Sequence, residues 1–72
     1  MNDLIEKSQK EIEPYLSSKG YKFIKEIQLG GQRFMCEYTN KEKKKILQIV
    51  YELYSHNAFC KRIYEEDIKE VI

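Results

Sequence analysis

The stretch Ile46-Leu47-Gln48-Ile49-Val50-Tyr51-Glu52-Leu53-Tyr54 carries two periodicities that cannot both be satisfied. Leu47, Ile49, Tyr51 and Leu53 alternate with a period of two, as one face of a strand does. Ile46, Ile49, Val50 and Leu53 follow the spacing of a helical stripe. The β-branched and aromatic content of the stretch favours the pleat. A third strand here also completes a meander, because an isolated hairpin is marginal in water. Ile46–Tyr54 is therefore read as a strand.

Working back towards the N-terminus, Asn40 to Lys45 is a polar, basic connection. Before it, Gln32 to Thr39 reads as a strand with Phe34, Cys36 and Tyr38 on one face and Arg33, Met35 and Glu37 on the other. Gly30-Gly31 supplies a tight turn, since both glycines accept positive φ. Tyr21 to Leu29 is the outgoing strand. Its alternation of Tyr21, Phe23, Ile27 and Leu29 breaks at Ile24-Lys25. Asn2 to Gly20 reads as a helix whose Ile5, Ile12 and Leu16 share a face, capped by Asn2 or Asp3 and closed by Gly20. Pro14 removes a hydrogen bond within it, and a kink is expected there.

Towards the C-terminus, Ser55-His56-Asn57 interrupts the pattern, and Ser55 or Asn57 can cap a helix. Beyond them Cys60, Tyr64, Ile68, Val71 and Ile72 fall at spacings of three and four, and Glu65, Glu66, Asp67, Lys69 and Glu70 form the polar side. A final helix is expected. The fold class is then α+β, a single small domain over residues 1–72. Its order is α-β-β-β-α, with a three-stranded antiparallel sheet and the helices on one face. Reading Ile46–Tyr54 as helix instead gives the alternative order α-β-β-α-α.

The 72 residues leave room for one thin core. No apolar run approaches the ~18 residues of a membrane span. Cys36 and Cys60 form no CxxC pair, and no secretory leader precedes them, so two reduced thiols in a cytoplasmic protein are expected. Thirteen basic against twelve acidic residues exclude a strong overall electrostatic binder of nucleic acid. The balance is uneven along the chain, however. Residues 21–45 carry seven basic and three acidic side chains, and residues 46–72 carry three and five. Lys41, Lys43, Lys44 and Lys45 gather at one loop. These are candidate nucleic-acid contacts, or lysines that keep a turn solvated and blunt an edge strand.

Few residues suggest catalysis. His56 and Cys60 lie four apart, so the expected helix would put them on one face, but no further ligands or orienting group sit at suitable spacing. The neighbouring carboxylates Glu65, Glu66 and Asp67, and Glu11 and Glu13, read as solvated faces, and no nucleotide-binding or zinc-protease motif occurs. No metal, cofactor or catalytic residue is expected. Tyrosine stands out instead: Tyr15, Tyr21, Tyr38, Tyr51, Tyr54 and Tyr64 exceed what so small an interior accommodates. Tyr and Arg anchor protein interfaces through large area with a polar handle. The sheet face left open by the helices is the expected place for surface rings, together with Ile24, Met35 and Val50.

Gly20-Tyr21 entering a first strand, and Gly31-Gln32-Arg33-Phe34 opening a second, resemble the layout of HicA-type RNA-cleaving toxins. Gln32 stands where that family carries its catalytic His, so no catalytic role is carried over. The α-β-β-β-α order is also similar to that of double-stranded-RNA-binding domains, with Lys61-Arg62 as a fragment of their basic last helix. In size and style the chain resembles phage-encoded anti-defence proteins of the anti-CRISPR type. The expected function is that of a small non-enzymatic protein-binding module, a regulator or inhibitor using Arg33, Tyr38, Tyr51 and Tyr54. Homodimer formation is an accompanying expectation, and the alternative is RNA or DNA binding through the basic loop.

Overall fold

A computed structural model describes residues 2–68. After a short 3-10 turn at Asn2–Leu4 comes helix α1 (Gln9–Ser18), then strands β1 (Lys22–Gly30), β2 (Arg33–Asn40), β3 (Lys45–Tyr54) and β4 (Asn57–Asp67). The four strands form one antiparallel sheet in the order β1-β2-β3-β4. Ile46–Tyr54 is a strand, as read from its alternation. The expected three-stranded sheet with helices on one face is not adopted, nor is the α-β-β-α-α alternative. The segment expected to form a last helix is β4, and among the described residues one α-helix packs on the sheet.

Two local features account for the mistaken helix. Tyr54 pairs with Asn57, so Ser55-His56 is a two-residue hairpin loop, with Ser55 at φ 55°. Further along β4 the register slips. Tyr51 pairs with Cys60 but Val50 pairs with Arg62, which leaves Lys61 as an extra residue. A bulge shifts the phase of the alternation by one residue. Cys60 and Ile63 consequently face the same side at a spacing of three, which imitates helical periodicity. Tyr64 falls on the other side of the sheet. Val71 and Ile72, assigned to the same stripe, lie outside the described residues.

Helix α1 is shorter than Asn2–Gly20. Ser8 is its N-cap, accepting a hydrogen bond at Oγ from the Glu11 amide (3.3 Å), and the helix continues across Pro14. The preceding segment is tied to β4 instead. The Glu6 amide donates to the Cys60 carbonyl (2.8 Å), the Cys60 amide donates to the Lys7 carbonyl (2.9 Å), and Ser8 bridges Phe59. This covers the start of the β4 edge and brings Leu4, rather than Ile5, into the core. At the far end Gly20 (φ 90°) closes the helix as expected. Its amide donates to Ser17 and that of Tyr21 donates to Leu16, the paired bonds of a Schellman motif.

The core lies between α1 and one sheet face. Ile12 and Leu16 of the helix meet Phe34, Cys36 and Tyr38 of β2, Leu47, Ile49 and Tyr51 of β3, and Cys60 of β4, with Leu4 and Tyr21 at the margins. Asn40 is buried among them and spans two turns. Its Nδ2 donates to the Lys19 carbonyl (2.9 Å) and its Oδ1 accepts from the Lys43 amide (3.1 Å). No helix among the described residues is long and apolar enough to cross a membrane.

Candidate functional site

The pairing register defines the sheet face that carries no helix. Across it run the rows Arg33-Glu52-Phe59, Ile27-Met35-Val50-Arg62 and Lys25-Glu37-Gln48-Tyr64. Met35 and Val50 occupy this face as expected, with Val50 buried between its neighbours. Tyr54 lies on it too, with its ring 6.3 Å from Phe59 and 5.4 Å beneath the Lys61 ammonium.

Glu52 organises one corner of this surface. It accepts from Arg33 Nε (3.3 Å) and from the Tyr54 hydroxyl (3.1 Å), and Lys61 Nζ approaches to 4.0 Å. Lys61 also reaches Glu6 at 3.0 Å. Partial burial pushes the Glu52 carboxyl up, but the hydrogen bonds from Arg33 and Tyr54 and the adjacent cations outweigh it. The net effect holds the carboxyl below its ordinary range. Two of the four contact residues singled out from sequence, Arg33 and Tyr54, are thus brought together. The carboxylate that joins them was not singled out, although its register opposite Arg33 follows once the β2–β3 hairpin is in place.

The other two contact residues lie elsewhere. Tyr38 and Tyr51 face α1 and are 3% and 0% exposed, with their hydroxyls 3.1 Å apart. Burial raises both phenols well above the ordinary tyrosine value. They satisfy each other inside the core, so neither hydroxyl is offered to a partner. Tyr21 is also buried, whereas Tyr15, Tyr54 and Tyr64 are exposed. The tyrosines therefore divide evenly between interior and surface, and the excess of rings is absorbed partly by the core.

Strand β1 is a second feature of this surface. Eight of its nine residues are exposed, with Phe23, Ile24 and Leu29 roughly half accessible. It pairs with β2 on one side and with no described strand on the other. Register shifts leave Ile24 and Leu29 as extra residues, so the regular stretch is Lys25–Gln28. The break in alternation at Ile24-Lys25 is the first of these bulges. On the helix side, α1 leans towards β4 and leaves a groove beside β1, a cavity of about 290 Å³ lined by Leu16, Tyr21, Phe23 and Tyr38 with Glu13 and Ser17 at its edge.

The basic loop is partly committed. Lys41 and Lys43 are exposed at the β2–β3 turn, and Lys44 adopts a left-handed conformation (φ 53°) with its carbonyl accepting from the Ile68 amide. Lys45 is held by Asp67 (2.5 Å) and Glu65 (3.6 Å), which raises its pKa. Acidic side chains of β4 therefore flank the lysines.

The remaining candidates are dispersed. His56 occupies the β3–β4 turn and Cys60 is buried in β4, so no helix sets them side by side. Burial pushes the Cys36 and Cys60 thiols up to about 11, which keeps them protonated at neutral pH. Among the described residues, no group of three or more His, Cys, Asp or Glu is placed to hold a metal ion. The α-β-β-β-α order that underlay the resemblance to HicA-type and double-stranded-RNA-binding domains is absent, because β4 occupies the place of their last helix. No family model matches the chain, and no curated protein or solved structure matches it significantly.

Proposed function

We propose that the protein is a non-enzymatic binding module that regulates or inhibits a partner protein in the reducing cytoplasm. A phage-encoded anti-defence role fits this description. The carrying observation is β1, a nine-residue strand at the rim of the sheet with three large apolar side chains in solvent. Such an edge is a template for strand addition: backbone hydrogen bonds supply affinity and the alternating side chains supply selectivity. The groove beside α1 and the Arg33-Glu52-Tyr54 corner provide aromatic and charged contacts on the two faces. The same edge accepts a second copy of the chain, which would make the protein a homodimer.

The test compares the wild-type chain with Phe23→Ser combined with Leu29→Ser, both immobilised and exposed to lysate from the host cell. Both side chains are exposed, so the variant keeps its fold by circular dichroism. Partners retained by the wild type and lost by the variant support the reading. Equal retention overturns it. Tight, salt-sensitive retardation of RNA that depends on Lys41 and Lys43 would move the function to nucleic-acid binding instead.

A further inference from the structure

We infer that β1 pairs antiparallel with β1 of a second copy about a two-fold axis at Ile27, joining two sheets into one of eight strands. The inference rests on the reading of β1 as a binding edge and specifies its occupant.

Symmetry restricts the register. An axis perpendicular to an antiparallel sheet sets one residue directly opposite its own copy, because side chains across the pair must point to the same face. The bulges at Ile24 and Leu29 confine regular pairing to Lys25–Gln28, so the axis passes through one of these four residues. At Lys25 or Glu26 it would place like charges directly opposite each other, which is destabilising. At Gln28 it would lie at the end of the regular stretch and draw the Leu29 bulge into the centre of the ladder. Ile27 remains.

Placed there, the neighbouring pairs are complementary. Glu26 stands opposite Gln28 of the second copy, and Gln28 opposite Glu26 of the second copy. The amide-to-carboxylate bond already made within one strand, Gln28 Nε2 to Glu26 Oε2 at 2.9 Å, shows that this pair of groups bonds readily here. Lys25 then lies opposite the Leu29 bulge of the second copy, where the regular ladder ends, and its ammonium keeps its place beside Glu37 (3.8 Å).

The apolar pattern of the sheet points to the same register. Ile27 is the one residue of β1 that is partly buried rather than exposed. It lies in the row Ile27-Met35-Val50 on the helix-free face. Pairing at Ile27 continues that row without a break through Ile27, Met35 and Val50 of the second copy. The stripe would otherwise end in solvent at the rim of the sheet. The contact is short, as expected of a weak and reversible pair.

Sedimentation equilibrium and disulfide trapping test the inference together. The wild type is expected to dimerise reversibly with concentration, and Ile27→Lys, which sets two ammonium groups on the axis, is expected to weaken the dimer at least tenfold while remaining folded. Under mild oxidation Ile27→Cys should cross-link, since residues opposite each other have Cβ atoms about 5 Å apart. Lys25→Cys should not, because its own copy lies four residues along the strand, about 14 Å away. The buried native thiols take no part. Faster trapping of Lys25→Cys than of Ile27→Cys overturns the register. A wild type that stays monomeric up to millimolar concentration overturns self-pairing and leaves the edge to a different protein, an outcome distinct from loss of partner retention in the lysate experiment.

Discussion

Strands β1 and β3 are nearly equal in length and both rich in large apolar residues, yet their surroundings are opposite. β3 sits between β2 and β4, with Leu47, Ile49 and Tyr51 beneath α1 and Val50 buried on the other face. β1 lies at the rim, and α1 leans away from it. The difference lies in position within the sheet more than in residue type. The Tyr51 ring, in the middle of β3 beneath α1, becomes core, and the Phe23 ring on β1 stays at the surface. Substitutions at matched side chains measure how far that holds.

The largest effect is expected at Tyr51. Its ring stacks on Phe34 at 5.4 Å and its hydroxyl bonds Tyr38. Tyr51→Ala empties a fully buried site and should cost about 3–5 kcal/mol, as for other buried aromatics. For so small a domain that approaches the whole stability, and denaturant titration should show a chain largely unfolded without added stabiliser. Tyr51→Phe keeps the ring but orphans the Tyr38 hydroxyl, at a cost of about 1–3 kcal/mol. A Tyr51→Ala chain as stable as wild type would break the contrast between the strands.

Asn40 comes next, because it connects the approach to β1 with the approach to β3. One end of its amide holds the Lys19 carbonyl at the helix terminus and the other holds the turn that starts β3. Asn40→Ala leaves those groups without this partner, and a loss of about 1–3 kcal/mol is expected by chemical denaturation. Gly20→Ala probes the same junction. The left-handed φ of 90° alone makes a side chain unfavourable there, since the added Cβ would stand at an ordinary contact distance of 3.4 Å from Asn40 Nδ2.

Much of this architecture is legible in the order of residues. Gly30-Gly31 marks the first hairpin and Gly20 the helix end, because only a few residue types accept those backbone conformations cheaply. The inward set Phe34, Cys36 and Tyr38 follows from simple alternation. β4 was illegible for a physical reason: an extra residue at Lys61 shifts the alternation, and no glycine marks the Ser55-His56 turn. The tyrosines show the same limit at the level of the site. Composition indicated that rings exceed the interior, but which rings go inside depends on strand order. Tyr38 and Tyr51 fall on the face beneath α1 and Tyr54 on the open face; alternation separates the two faces, but that β3 is a central strand needs the fourth strand to be known. Arg33 and Tyr54 were within reach of sequence reasoning because both are exposed and adjacent to the hairpin.

On β1 the matching ring is Phe23. It meets Tyr38 edge-on at 5.9 Å but stays 55% exposed. Phe23→Ala should therefore cost only about 1 kcal/mol, the scale of an aromatic pair with partial burial. Thermal unfolding of Phe23→Ala beside Tyr51→Ala reads the position effect directly. Similar losses from the two would show that β1 belongs to the core as much as β3 does.

The smallest effect concerns Glu52, where β3 emerges onto the open face. Its folded pKa lies below the ordinary 4.5 because of Arg33, Tyr54 and Lys61. A depressed carboxyl stabilises the fold above its unfolded pKa, and that contribution fades as pH falls through the folded value. Acidification below about 4.5 should therefore cost the wild type slightly more stability than Glu52→Gln, with the two curves parallel near neutrality. Added salt should narrow the gap, since Arg33 is well exposed and screening reaches the pair. An identical acid limb for both chains would show that this corner adds nothing measurable to the stability of the fold. A large difference would mean that the open face contributes to stability as a buried one does, and the contrast between the two faces of β3 would fail.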